Sequence, residues 1–146
     1  MRIKDNKKPD KINSIEEKRM EHISFNLKHL TSNKAFCLKW FGNDFRNREK
    51  ALSELFARLG DLSTITMNEA KKRGKISGCE PLHYSRFNAN FQGVLKGIDI
   101  LSKDSVLSVF RFCQNDYRMI CKTDITYPDL VYILAFDFDY SAYNHG

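Results

Sequence analysis

The chain contains no long apolar run. Nothing in it approaches the ~18 consecutive apolar residues that a membrane span needs. Its opening residues, Met1, Arg2, Ile3 and Lys4, are basic and polar rather than a signal peptide. A membrane role is therefore not expected, and a cytoplasmic location is. Metal-ligand spacing is missing as well. Cys37, Cys79, Cys113 and Cys121 form no C-x-x-C pair and the four histidines stand apart, so neither a zinc site nor any other cofactor is expected. The cysteines read as reduced, small apolar core residues. No internal repeat and no low-complexity segment occurs.

Positive charge is also missing from one end. Residues 124–146 hold no Lys or Arg against four acidic residues. The rest is basic: residues 1–35 carry nine Lys/Arg against five Asp/Glu, and residues 36–123 carry fifteen against nine. The net charge of +6 suits a polyanionic partner, either nucleic acid or an acidic protein. A length of 146 residues suits one domain with its own core. Residues 1–13, polar with one proline, read as a mobile arm ahead of a single domain over 14–146.

The chain is organised around its last third. Residues 106–113, 117–123 and 130–139 are rich in β-branched and aromatic residues and are separated by short turns. They read as three strands joined by hairpins, with a three-residue loop at 114–116. Further upstream, Ser14 and Glu17 fit a capping box for a short helix to about residue 21. Residues 22–30 alternate, with Ile23, Phe25 and Leu27 on one face, and predict a half-buried strand. Asn43 or Asp44 caps a helix to about Leu59, whose core stripe is Phe45, Leu52, Leu55, Phe56 and Leu59, and Gly60 ends it. Thr66 and Glu69 form a second capping box for a helix over about 64–73, closed by Gly74. Residues 79–97 give mixed signals, with 82–87 either a short strand or an extended crossing. Ser102 to Ser105 reads as a turn. The expected class is α+β, with helices on one face of a mostly antiparallel sheet.

Three cations fall inside the strands. Arg111 shares a face with Leu107 and Val109, and Arg118 and Lys122 share one with Ile120. Such charges are either paired, for example with Asp137 or Asp139, or open onto a groove that holds a phosphate. With the three-residue loop, Arg111 falls opposite Met119. Arg118 then points to the other face; a two- or four-residue loop would bring the arginines together. Tyr140, Tyr143 and His145 cluster in the tail, where Tyr143 and His145 suit acid–base chemistry on a phosphodiester. Lys28, Lys71, Lys72, Arg73 and Lys75 are candidate RNA-backbone contacts. Asp137 and Asp139, after an apolar run, resemble the first motif of haloacid-dehalogenase-like phosphatases. The doubly wound sheet of that family would have to follow, and only five residues follow Ser141. They read instead as the acidic end of a strand, with no metal bound there.

The order of strand, helix pair and three strands, with the run Val109 to Phe112 and the segment Asp116, Tyr117, Arg118, resembles the RelE/HigB-like toxins. The segment 133–146 is similar to a group of small mobile-element proteins. The RelE-like resemblance implies a small sheet flanked by helices. It also implies a metal-independent endoribonuclease acting on messenger RNA, often at the ribosome, or an RNA-binding relative, neutralised by a co-encoded acidic antitoxin. Arg111 and Arg118 match the arginines of its two strand motifs, while Tyr143 and His145 match only the kind of residue found in its tail; with Lys122 these four make up the candidate catalytic set. The long arm, the extended connection over 75–105 and the acidic tail depart from that pattern. The rival readings are a non-catalytic mobile-element protein that binds a partner through Tyr140 and Tyr143, and a nucleic-acid-binding module without chemistry.

Overall fold

The computed structural model describes residues 22–144. The arm at 1–13, the helix expected after Ser14 and the candidate His145 lie outside them. The fold is α+β. Strand β1 (Ser24–Asn26) leads through two short 3-10 turns to α1 (Phe45–Leu62) and α2 (Met67–Ser77). Next come β2 (Glu80–His83), the short helix α3 (Ala89–Leu95), and β3 (Val106–Phe112), β4 (Tyr117–Thr123) and β5 (Leu130–Asp137). The five strands form one sheet in the order β1-β5-β4-β3-β2. Strands β2 to β5 pair antiparallel, and β1 lies parallel to β5.

Both faces of this sheet are buried, which corrects the expectation of helices on one face only. Phe110, Met119 and Ile133 point into a first core beneath α1 and α2. Leu107, Val109 and Ile120 point into a second core with Phe91 and Leu95 of α3. Double burial explains why the central strands read as nearly unbroken apolar runs. The pairing of β4 and β5 slips by one residue between Ile120 and Cys121. That bulge puts Leu134 and Ala135 together in the second core. All four cysteines are buried and unpaired with one another.

The helices correct three further expectations. Asp44 caps α1, its Oδ1 accepting the Asn47 N–H at 3.2 Å. The helix then runs through Gly60 to Leu62, because the core contacts of Leu62 continue it. Its core stripe is Ala51, Leu55 and Leu62. Phe45, Leu52 and Phe56 lie about 100° away around the helix, and Phe45 and Phe56 are 59% and 67% exposed. The Thr66–Glu69 capping box forms, with Glu69 N–H donating to Thr66 Oγ1 at 3.1 Å. Gly74 does not close α2. It kinks it at φ 81° and one more turn follows. The helix stops at Gly78, where a Cβ would stand 1.9 Å from the Ala70 carbonyl oxygen. Strand β1 is shorter than the alternation suggested, and Leu27 is exposed just past its end.

Strand β2 begins opposite Val109, so β3 has an open edge at Arg111. Arg58 of α1 fills that edge. Its Nε donates to the Arg111 carbonyl at 2.9 Å, Nη2 to the Gly78 carbonyl at 3.0 Å, and Nη1 to Asp61 at 3.1 Å. One side chain thus ties α1 to the sheet edge and to the end of α2.

Candidate functional site

The β3–β4 connection has four residues, 113–116, not three, since Phe112 pairs with Tyr117. Cys113, Gln114 and Asn115 take left-handed backbone angles, φ 53°, 56° and 70°. The Asp116 N–H closes the turn on the Cys113 carbonyl at 3.1 Å. This loop sets the register. Arg111 pairs with Arg118 rather than with Met119, and Arg118 pairs with Asp137 across the next strand boundary. Opposed residues share a face. Arg111, Arg118 and Asp137 therefore form a charged row across one end of the second face.

Neighbouring elements converge on this row. Glu80, at the start of β2, places Oε1 3.9 Å from Arg111 Nη2. The tail folds back after β5 because the Asp137 carboxylate accepts the N–H groups of Ser141 and Ala142 at 3.1 and 3.2 Å. Asn88, just before α3, holds the tail from the other side. Its N–H donates to the Ala142 carbonyl and its side-chain amide to the Ser141 carbonyl, both at 2.8 Å. Tyr143 then bridges to Phe87 and is buried, its ring edge-on to Phe87 at 5.4 Å. Its hydroxyl is within hydrogen-bonding influence of Arg118 and feels Glu80 and Arg111. Tyr140, half exposed, lies over the Arg118 guanidinium at 5.3 Å.

The row is buried at high cost. Arg118 is 4% exposed and Asp137 1%. Arg118 Nη1 donates to the carbonyls of Asn115 and Tyr117. Yet Arg111 Nε, Arg118 Nε and Glu80 Oε1 are buried with no hydrogen-bond partner among the described residues. Each such atom costs about 1–3 kcal/mol. Two like charges directly opposed on a sheet add to that cost. Burial pushes the Tyr143 phenol up, while Arg118 beside it works the other way. The phenol therefore holds its proton at neutral pH. The cluster offers two guanidinium forks, a carboxylate with an idle oxygen, and a phenol that donates.

Other candidates stand elsewhere. Lys122 is on the same face but four residues along β4, about 13 Å from Arg118. It donates to the Thr123 carbonyl at 3.1 Å and borders a cavity of about 560 Å³ with Asp99, Asp124 and Tyr132. Lys71, Lys72, Arg73 and Lys75 are exposed on α2, which covers the opposite face. Arg73 pairs with Asp61 at 3.5 Å. Lys28 is exposed in the turn after β1, at the far edge of the sheet from β2. These cations do not form a single track with the arginine pair. Buried Tyr143 is not a surface anchor, whereas Tyr140 is exposed. Glu80, Arg58 and Asn88 were missed from sequence, since each meets the site only through long-range pairing.

Asp139 sits in the turn beyond β5, its Oδ1 accepting from the Ser141 N–H and hydroxyl at 3.2 and 2.6 Å. Among the described residues no group of three or more His, Cys, Asp or Glu is placed to hold a metal ion. No helix among them is long and apolar enough to cross a membrane. Comparison with protein-family models, with curated proteins and with solved structures finds no match.

Proposed function

We propose that this protein is an RNA-directed, metal-independent endoribonuclease of the RelE-like kind, or an RNA-binding relative, with the Arg111–Arg118 pair as its phosphate site. The observation that carries this reading is the opposed pair itself, with both Nε groups buried and unbonded among the described residues. Guanidinium forks suit a phosphodiester and stabilise the extra charge of its transition state. In cleavage, the 2′-oxygen attacks phosphorus and the 5′-oxygen leaves. Glu80 takes the 2′-hydroxyl proton, because its Oε1 has only the long ion pair to Arg111 and no hydrogen-bond partner among the described residues, while Asp137 is occupied with the tail. Tyr143 gives its proton to the departing 5′-oxygen. The basic surface suits ribosome-bound RNA, and a co-encoded acidic protein would be the natural antitoxin.

The test is induced expression with RNA integrity as readout, followed by purified protein on single-stranded RNA in chelator. Wild type should arrest growth and fragment RNA, and Arg118→Ala should do neither. Intact RNA with wild type, or equal cutting by the variant, ends the nuclease reading. The exposed Phe45 and Phe56, with half-buried Leu52 between them, favour a second reading, a non-catalytic mobile-element protein that binds a partner protein. On that reading Arg118→Ala leaves any growth effect in place, while Phe56→Glu removes it.

A further inference from the structure

We propose that α1 and the β3–β4 hairpin enclose a separate oxyanion site for a phosphate group, with Arg58 and the backbone amides of Gln114 and Asn115 as its donors. A cavity of about 330 Å³ lies between these elements, bordered by Arg58, Arg111, Gln114, Asn115, Glu54 and Asp61. The uncommitted groups in its wall are mostly donors. Arg58 has five N–H groups and commits three of them, to Arg111, Gly78 and Asp61. One N–H on each terminal nitrogen is left over.

The hairpin supplies the rest. Consecutive left-handed residues aim their N–H groups the same way, and such turns gather amides around anions. The Asp116 N–H is used within the loop, but those of Gln114 and Asn115 donate to nothing among the described residues. Strain of this kind, in two residues that are neither Gly nor Asn, is retained where backbone direction matters. Burial also holds the Arg58 guanidinium below its usual value, so its charge lacks solvation that an anion would restore.

Two carboxylates oppose an anion here. Asp61 is neutralised by Arg58 and Arg73, at 3.1 and 3.5 Å. Glu54 has no ion pair within 4 Å among the described residues and is the one acid that works against binding. The site is distinct from the buried Arg118, which does not border the cavity, while Arg111 touches both. Its link to RNA rests on the function proposed above: the cavity would then hold a phosphodiester neighbouring the scissile one.

The test is a titration of ¹⁵N-labelled protein with inorganic phosphate, then with short single-stranded RNA. The Gln114 and Asn115 amide signals should shift together and saturate with phosphate. Glu54→Gln, a change at the cavity wall away from the core, should tighten phosphate about three- to tenfold by removing one partly screened charge. Arg58→Gln should weaken it. Unsaturable hairpin shifts, or a Glu54→Gln protein no tighter than wild type, overturn the site. Phosphate bound at the hairpin with RNA left intact would sink the nuclease reading alone. RNA cut by a protein whose hairpin amides never respond would sink this site alone.

Discussion

The two ends of the second sheet face carry similar residues and treat them differently. At one end, Lys122, Asp124 and Tyr132 each have a hydrogen-bond partner. Lys122 bonds the Thr123 carbonyl, Tyr132 donates to Asp124 at 3.0 Å, and Asp124 also accepts the Thr126 and Tyr127 N–H groups at 2.9 and 3.0 Å. At the other end, Arg111, Arg118 and Glu80 keep buried atoms with no hydrogen-bond partner among the described residues. Residue type alone does not separate a structural cation from one poised for a ligand. Unspent hydrogen-bonding capacity is what differs between the two ends, and it is what the site proposed above draws on.

The comparison breaks most sharply at Glu80. If its idle oxygen is the base, Glu80→Gln should lower the cleavage rate about 10²- to 10⁴-fold. RNA affinity should rise at the same time, because a negative charge beside Arg111 is gone. A steady-state split between kcat and KM reads both. Loss of kcat with weaker binding would instead mark Glu80 as a brace for Arg111. Arg118→Ala comes next, and should weaken RNA binding by about 10- to 150-fold, as for loss of a charge-assisted hydrogen bond worth roughly 1.5–3 kcal/mol. Fluorescence anisotropy with labelled RNA measures it. At the satisfied end, Lys122→Ala should change affinity by no more than about twofold, the weight of a distant screened charge. A Lys122→Ala effect equal to that of Arg118→Ala would erase the distinction between the ends.

The split between the ends also marks how far sequence could be read. Capping at Asp44 and Thr66 was legible, because a cap is a contact over three residues. The strand meander was legible from close breakers. The α1 core stripe was legible only in part: Leu55 and the half-buried Leu59 face the core, while Phe45 and Phe56 do not. The helix has two apolar stripes, and the one with the larger side chains, Phe45 and Phe56, faces outward. Only the position of the sheet chooses Ala51, Leu55 and Leu62. Helix α3 was hidden because Asn88 makes no side-chain cap bond and residues 89–95 are few. The arginine pair turned on one residue of loop length. The sequence allowed both registers, and the left-handed run at 113–115 decided between them. Glu80 had no local signal, since its part in the site comes from pairing with β3.

The smallest effect sharpens the satisfied end, through pH. Backbone N–H groups of Tyr127 and Thr126 hold the Asp124 carboxyl below its ordinary value. The folded state thus binds this proton less readily than the unfolded chain. The stabilisation is present above the unfolded value of about 3.9 and is lost as pH falls through the lower folded value. Tyr132 is shifted the opposite way, its phenol raised mainly because it donates to Asp124. Its contribution is complete below the unfolded value of about 10 and fades as pH climbs above that. The pair therefore supports the fold across a plateau bounded by an acid and an alkaline limb. Tyr132→Phe should shrink the alkaline limb, to which the raised phenols of Tyr117 and Tyr143 also contribute, and leave most of the acid one, because two backbone N–H groups still hold Asp124. Asp124→Asn should weaken the acid limb, which Asp44 shares, and also flatten the alkaline one, because the phenol loses its charged acceptor. Urea midpoints from pH 3 to 11 for the two single variants and the double variant test this. An unchanged acid limb in Asp124→Asn would place the acid sensitivity elsewhere, with Asp44, whose carboxyl the Asn47 side chain and N–H also hold below its ordinary value, the next carboxylate to replace.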